Sequence, residues 1–243
     1  MKHIIFLSSS YTQKERIAYH IPLMSEADLD KAKKVQMELK KKIAGKTQYS
    51  IYSVTTKDES WQSVVELDRF YADVRKVSEL NDFVKLIIKD LQLEALDVAK
   101  YIISCTNCTH LKLQKLLYLC YQEYLHLAQK KMFRDKIYAY DLGPVIYSVY
   151  QAYKGTPGAI TLATDRTIEI PYDQLAKKSR IIFADDGFRI LFCIDKVIER
   201  YGNMTAAELV DLTHSPNSAW AKAYKKGQFN TEIPDDLIFE SQC

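Results

Sequence analysis

Glycine and proline are scarce in this sequence. It has 7 Gly and 6 Pro in 243 residues, which is about half their share in an average protein. Neither occurs among the 97 residues from 46 to 142. A β-sandwich or β-barrel needs a turn every ~8–12 residues, and turns are rich in these two residue types. Their absence excludes an all-β fold for this stretch and predicts a largely helical middle.

Long apolar runs and a large net charge are also missing. The longest uncharged apolar runs span residues 4–7 and 116–121, far short of the ~20 residues that cross a bilayer. The first of them is too short for a signal peptide. With 47% hydrophobic residues, 17 Tyr and a net charge of +3, the chain lacks the composition of a disordered protein. We expect a globular cytoplasmic protein with no membrane partner.

Cysteine pairs and catalytic motifs are scarce as well. The five cysteines are an odd number, which favours reduced thiols over a disulfide framework. Cys105, Cys108 and His110 have the spacing of half a zinc site, but a structural site needs a second such pair. No G-x-S-x-G, H-E-x-x-H or glycine-rich phosphate loop occurs. The sequence predicts no enzyme, cofactor or metal, and a metal- or thiol-dependent enzyme at these three residues is kept as a third hypothesis.

Residues 1–92 have the pattern of a small α/β domain. A short apolar run at residues 4–7 predicts a buried strand that leads into a serine-rich loop at residues 8–10. Apolar residues at helical spacing predict a helix over residues 25–45, and residues 49–54 alternate like a strand. Together these elements predict a β-α-β unit. Two further helical patterns cover residues 60–74 and 81–91.

Residues 93–243 predict a mainly helical domain, with a soft boundary near residues 91–93. After a first helical run at residues 93–103, Thr109 is placed to cap a long helix, because a threonine hydroxyl accepts from an unpaired N–H of the first turn. The side chains expected on one polar stripe of this helix are Lys112, Lys115, Gln122 and His126.

Turns divide the second half of this domain. Gly143-Pro144 is expected to restart the chain as a helix of about three turns, with Pro144 at its first position. Residues 156–180 have a loop-like composition, in which residues 161–164 and 167–170 predict a short β-hairpin. Three further helical segments are expected to begin near Phe188, Thr205 and Pro216, with Phe188 on the apolar face of the first of them.

A basic helix is the first candidate for a binding surface. Residues 31–46 contain seven Lys, no Arg and one acidic residue, Glu38. Such a face can follow a phosphate backbone or an acidic partner, with Lys33, Lys34, Lys40 and Lys41 as the contacts. The alternative is a solvated face of an amphipathic helix. Arg is the usual reader of base edges, so its absence counts against a nucleic-acid partner.

Tyrosines around the Gly143-Pro144 pair are the second candidate. Aromatic residues of this kind anchor protein interfaces, although they serve equally well in a core. The five tyrosines of this group are Tyr138, Tyr140, Tyr147, Tyr150 and Tyr153.

Three motifs follow one another in this region. They are D-V-A-K-Y-I at residues 97–102, L-K-L-Q-K-L-L-Y at 111–118 and A-Y-D-L-G-P-V at 139–145. In this order and rough spacing, they resemble the Panacea domain of SocA-like antitoxins, a family that also includes phage-associated GepA-type proteins. Closing elements similar to those of the family are Y-G at 201–202, A-E-L-V-D-L-T-H at 207–214, Pro216 and Trp220. Tyr140, Asp141 and Leu142 depart from the more usual residues of the family.

The resemblance implies an α+β, mainly α-helical fold and a binding function without catalytic residues. Members of the family neutralise a cognate protein toxin by direct contact. We therefore expect residues 93–243 to be a helical antitoxin domain and residues 1–92 an α/β accessory domain of unknown role. A homodimer stays open, and so does the alternative of a phage-associated regulatory protein that binds nucleic acid through the basic helix 31–46. Candidate partner-binding residues are Tyr118, Tyr121, Tyr140, Asp141, Gly143, Pro144 and Trp220.

Overall fold

The computed structural model describes residues 1–43, 49–160, 174–228 and 230–241. The backbone divides into two compact units, Met1–Gln92 and Leu93–Cys243, and each has hydrophobic clusters of its own. The fold is mixed α+β and mainly helical, as predicted. Among the described residues, no helix is both long enough and apolar enough to cross a bilayer.

The N-terminal unit is a mixed sheet with helices on it. The strand order is β3-β1-β2-β4, in which β1 pairs antiparallel with β2 and β3, and β2 pairs parallel with β4. A short 3-10 turn at Arg69–Tyr71 precedes the last strand. The elements are β1 (Lys2–Ser10), β2 (Glu15–Leu23), α1 (Glu26–Ile43), β3 (Ser50–Thr55), α2 (Trp61–Leu67), β4 (Val74–Val77) and α3 (Leu80–Leu91).

Alternating side chains give this sheet two buried faces. Phe6 and Tyr19 lie in one cluster with Leu39 of α1 and Phe83 of α3. On the other face, Ile5 belongs to a second cluster together with residues of α2 and of the 3-10 turn. The helices are therefore held by apolar burial against the strands.

The predicted β-α-β order was wrong in its first part, because two strands and not one precede α1. Residues 8–10, expected as a loop, end strand β1, and β2 was not predicted at all. Ser8 and Ser10 are buried and pair with Ile17 and Glu15. Pairing with β2 across a short turn satisfies the backbone groups of these serines, which the sequence pattern alone assigns to a loop. The predicted helix over residues 60–74 likewise ends at Leu67, because the chain after it joins the sheet as β4.

The C-terminal unit is built around one long helix. Its helices are α4 (Ala95–Cys105), α5 (His110–Ala128), α6 (Tyr147–Tyr153), α7 (Gln174–Ile182), α8 (Gly187–Tyr201), α9 (Ala206–Thr213), α10 (Ala219–Ala223) and α11 (Asp235–Phe239). Its strands are β5 (Cys108–Thr109), β6 (Ile137–Tyr140), β7 (Gly143–Ile146), β8 (Ala159–Ile160) and β9 (Thr231–Glu232). Strand β6 pairs antiparallel with both β7 and β9, and β5 pairs with β8.

Helix α5 occupies the centre of this unit and contacts α4, α8, α9, α11 and β7. As predicted, the Thr109 hydroxyl caps its first turn, accepting from the Lys112 N–H at 3.3 Å. The predicted polar stripe was wrong at Lys115 and Gln122, which are 0% and 5% exposed. Both side chains donate to backbone carbonyls of neighbouring segments. Hydrogen bonds of this kind are what allow a polar side chain to be buried.

The segment after Leu142 also differs from the prediction. Gly143 and Pro144 do not begin a helix, because they lie in strand β7, and α6 begins three residues later at Tyr147. The hairpin predicted within residues 161–170 lies outside the described residues. From residue 174 onward, the region expected as a loop forms α7.

The predicted helices α8 and α9 are confirmed, but Phe188 of α8 faces solvent and not the core. Helix α8 follows the turn at residues 185–187, and α9 begins with a capping box between Thr205 and Glu208. Phe188, predicted on the apolar face of α8, is 75% exposed, whereas Ile190, Leu191 and other residues fill that face.

Candidate functional site

A tight hairpin between β6 and β7 is the centre of the candidate site. Tyr140 pairs with Gly143, so the turn consists of Asp141 and Leu142. Gly143 has a φ of +102°, a conformation that side chains with a Cβ rarely adopt. A Cβ there would also stand 2.5 Å from the Nζ of Lys115. Glycine is therefore required both for its conformation and for its close approach to α5.

Two adjacent polar residues of α5 hold the backbone of β7. The Ile146 N–H donates to the Oε1 of Gln114 at 2.8 Å, and the Gln114 amide donates back to the Ile146 carbonyl at 3.4 Å. The Nζ of Lys115 donates to the Pro144 carbonyl at 2.9 Å. These buried bonds occupy backbone groups of the segment predicted as a helix, which explains why a strand forms there.

Lys115 and His214 meet beside Gly143. Complete burial of the Lys115 side chain lowers the pKa of its amine to about 7, because an ammonium loses its hydration there. The pKa of His214 is lowered by burial and by the Lys115 charge. Its Nε2 is buried and makes no hydrogen bond with any described residue. Both nitrogens lie within 3.1 Å of the point that a Cβ of Gly143 would occupy.

The buried amine makes stability depend on pH. The pKa of the Lys115 amine is about 7 in the folded protein and 10.5 when the side chain is in water. Between these two pH values the amine is protonated in the unfolded chain but neutral in the folded one. The unfolding free energy therefore rises with pH in this range. We expect the unfolding free energy of the wild type to increase relative to that of Lys115→Met by roughly 1 kcal/mol per pH unit from pH 7 to 9. Urea unfolding of both proteins at these two pH values measures the difference. Equal pH dependence in the two proteins would contradict the buried state of the amine.

An aromatic stack supports the hairpin from the side. The rings of His214 and Trp220 are parallel within 1° with centroids 3.5 Å apart, and Tyr224 continues the stack at 4.7 Å from Trp220. The Trp220 Nε1 donates to the Tyr140 carbonyl at 2.8 Å. The Tyr224 hydroxyl donates to the Oδ1 of Asp141, also at 2.8 Å. The residue before the turn, Tyr140, and the first residue of the turn, Asp141, are therefore both bonded to the stacked rings.

Exposed side chains lie at the turn and at the start of α6, just after β7. Leu142 is 57% exposed and Tyr147 is 49% exposed, and the carboxylate of Asp141 also faces solvent. The Tyr147 ring stacks on Tyr150, whose ring meets the edge of Tyr140, both with centroids 6.4 Å apart. We call Asp141, Leu142 and Tyr147 the hairpin surface. It combines an aliphatic tip, an aromatic face and one negative charge.

The predicted partner-binding residues fall into two groups. Tyr140, Asp141, Gly143 and Pro144 belong to the hairpin itself, and Trp220 joins them from a distant part of the chain through its hydrogen bond to the Tyr140 carbonyl. Two others, Tyr118 and Tyr121, are 0% and 1% exposed and lie in the core. The Tyr121 ring packs on Phe133 and its hydroxyl donates to Asp235 at 2.8 Å. These two tyrosines stabilise α5 and present no surface to a partner.

The candidate lysines of α1 lie on its exposed side. Lys33, Lys34, Lys40 and Lys41 are all exposed, and Lys33 is paired with Asp30 at 3.0 Å. The buried side of the helix carries Ala32, Val35, Leu39 and Ile43. An exposed row of lysines opposite a buried apolar side is expected both for a helix that faces only solvent and for one that binds an acidic partner. The geometry of α1 therefore does not distinguish the two interpretations.

The cysteine motif lies beside α5. Cys108 is buried, and burial raises the pKa of its thiol to about 12, which keeps it protonated. Cys105 is half-buried and accepts a hydrogen bond from the Gln174 amide at 3.2 Å. The ring of His110 packs on Tyr150, with centroids 5.0 Å apart. Among the residues that the structure describes, no group of three or more His, Cys, Asp or Glu is arranged to hold a metal.

Several residues of the site were missing from the sequence-based candidates. Gln114 and Lys115 position β7, and His214 and Tyr224 complete the stack. A signal for the first pair was present, since Gln114 and Lys115 are polar residues between leucines in a helix with a wide apolar face. Stacking partners from separate helices leave no such local signal.

A family comparison agrees with the motif order. Residues 113–221 match the family described as "Antitoxin SocA-like, Panacea domain", which confirms the predicted resemblance over that range. The match includes the hairpin and the stack as far as Trp220, and leaves out the motif at residues 97–102. It covers just under half of the chain. Neither the curated proteins nor the solved structures contain a match.

Proposed function

We propose that this chain, whose residues 113–221 match the Panacea domain of SocA-like antitoxins, is the antitoxin of a toxin–antitoxin pair. It neutralises a protein toxin by binding it directly. The observation that carries this proposal is the match itself, together with the location of the hairpin surface inside the matched range. A binding role of this kind requires a complementary surface and no reactive group.

The hairpin surface has the properties of an interface anchor. Leu142 stands at the tip of the turn with more than half of its surface exposed. The hydrogen bonds from Trp220 and Tyr224 hold the turn in place before any partner binds. A surface that is already ordered loses little conformational entropy on binding. We infer that Leu142 inserts into an apolar pocket of the toxin and that Tyr147 packs on its rim.

The negative charge of Asp141 indicates which side chain the toxin presents beside the Leu142 pocket. One of its carboxylate oxygens accepts from Tyr224, and a carboxylate has acceptor sites beyond that one bond. An Arg or Lys of the toxin beside the Leu142 pocket satisfies this group at the edge of the contact. Residues 93–243 form the neutralising domain in this proposal, and residues 1–92 form an accessory domain.

Expression with the product of the adjacent gene tests the proposal. We expect induction of the neighbouring gene alone to stop growth, and co-expression of this chain to restore it. A tagged version of this chain should purify with the neighbour in a fixed stoichiometry. A neighbour that is neither toxic nor bound contradicts the proposal.

A further inference from the structure

One edge of the N-terminal sheet is open. Strand β3 is the outermost strand and pairs with β1 on one side. No residue that the structure describes pairs with its other side. The side chains of Ser50, Ile51, Ser53 and Thr55 are exposed, and that of Ile51 is 41% exposed. The outer edge of β3 is therefore accessible along the length of the strand.

The pairing with β1 fixes which backbone groups of β3 point outward. The Thr56 N–H donates to the Met1 carbonyl at 2.9 Å, and the Met1 nitrogen donates to the Thr56 carbonyl at 2.6 Å. In an antiparallel pair, residues alternate between bonding to the partner strand and pointing away from it. Counting back from Thr56, the residues that point away from β1 are Ile51, Ser53 and Thr55. Each of these three presents an N–H and a C=O that bond to no described residue.

The two edges of this sheet differ in charge. At the opposite edge, β4 has four residues, and Arg75 and Lys76 are both exposed on it. Charged side chains on a short edge strand discourage pairing with another chain. Strand β3 has six residues and contains no charged residue, no Gly and no Pro. The edge at β3 therefore lacks the features that prevent strand pairing.

We propose that β3 forms a homodimer by pairing antiparallel with β3 of a second copy, across a two-fold axis at Ser53. Ser53 then faces Ser53 of the other copy, and Ile51 faces Thr55 on both sides of the axis. The outward-pointing residues form three such pairs, and each pair exchanges two backbone hydrogen bonds. The two four-stranded sheets join into one continuous sheet.

The number of hydrogen bonds determines this register. With the axis at Ser53, every outward-pointing residue of β3 lies opposite an outward-pointing residue of the other copy. An axis at Tyr52 or Val54 places one of them opposite a residue outside β3, so one pair is lost. An axis between two residues places outward-pointing residues opposite inward-pointing ones, which cannot exchange bonds. The axis at Ser53 therefore satisfies the most backbone groups.

The side chains also fit a second copy. On one face of the sheet, Tyr52 lies opposite Val54 of the other copy, and both are partly buried against the hydrophobic cluster of that face. On the other face, Ile51 lies opposite Thr55. Cross-strand pairs of aromatic and β-branched side chains are favourable, whereas like charges directly opposite each other are not. A second copy supplies an uncharged strand with matching backbone groups, so it is the occupant that the edge fits.

Sedimentation equilibrium of the full-length chain tests the dimer. We expect the wild type to be dimeric at micromolar concentration. Ser53→Pro removes the N–H of the central pair and should raise the dissociation constant at least about 30-fold. An edge strand tolerates proline where the N–H faces solvent, so the melting temperature should stay close to that of the wild type. Ser53→Thr keeps the N–H and is the matched control, which should remain dimeric. A monomeric wild type overturns the proposal, and so does a folded Ser53→Pro variant that still dimerises.

Charges at the axis test the register and the identity of the occupant. Ser53→Lys and Ser53→Glu change an exposed side chain, so both variants should fold. Each places like charges opposite each other in a dimer with itself and should be mainly monomeric. An equimolar mixture of the two should form a heterodimer, because opposite charges then meet at the axis. Variants that dimerise alone as well as the wild type overturn the pairing at Ser53, and so does a mixture that stays monomeric.

The dimer does not rest on the antitoxin role, because β3 lies outside the residues 113–221 that match the family. We expect Ser53→Pro to restore growth in cells that express the toxin as well as the wild type does. A different result is a wild type that is monomeric alone and a Ser53→Pro variant that no longer binds the product of the adjacent gene. That result assigns the open edge to a strand of the other protein and overturns the dimer.

Discussion

Leu142→Glu is expected to abolish neutralisation of the toxin while leaving the fold intact. Leu142 is exposed at the tip of the hairpin, so a charged side chain is tolerated there in the unbound chain. In the complex, the same charge is forced into the apolar pocket that the proposal assigns to the toxin. Burying an unpaired carboxylate costs enough to raise the dissociation constant at least about 30-fold.

The matched control for this variant is Leu127→Glu. Leu127 has a similar exposure, 50% against 57%, but lies on α5 away from the hairpin. We expect the control to restore growth in cells that express the toxin and Leu142→Glu to fail, with equal melting temperatures. Equal neutralisation by both variants rules out the hairpin tip as the contact, whereas failure of both points to a general effect of charge.

Gly143→Ala is expected to have the largest effect on stability. The alanine Cβ would meet the Lys115 Nζ at 2.5 Å and its Cε at 2.9 Å, and the φ of +102° is unfavourable for any side chain. Lys115 has little freedom to move, because it is buried and bonded to Pro144. The strained backbone and the overpacking together cost about 3 kcal/mol of unfolding free energy.

Gly155→Ala separates the two causes. Gly155 also has a positive φ, +78°, but a Cβ there meets nothing within 4 Å. We expect it to lose roughly 1 kcal/mol from its conformation alone. Urea unfolding of the two variants measures the difference, which is the cost of the contact with Lys115. Equal losses would show that Lys115 moves aside and that the close packing under the hairpin is loose.

Local pattern was sufficient for much of the helical part of the fold. Thr109 and the capping box at Thr205 were recognisable because each side chain bonds to a backbone group three residues away. The family resemblance was recognisable for a similar reason, since its motifs are short runs of residues that follow one another in a certain order. Such interactions depend only on residues close together in the chain, so the sequence pattern is enough to indicate them.

Which side chains of a helix are buried was harder to predict from the sequence than the presence of the helix. Lys115 is charged and yet buried, whereas Phe188 is apolar and yet exposed. Lys115 is buried because the Pro144 carbonyl stands above it. Phe188 is exposed because other apolar residues of α8 already fill the contact with α5. Both outcomes depend on segments far away in the chain.

Composition and short-range spacing thus established the helices, their caps and the family to which the matched domain is similar. Strand β2, the hairpin and its contact with the stack of His214, Trp220 and Tyr224 were decided only by the tertiary structure. The hairpin forms where a helix was expected because buried side chains of Gln114 and Lys115 bind its backbone. Buried backbone groups take the partners that the tertiary packing offers, and here those partners outweigh local preference.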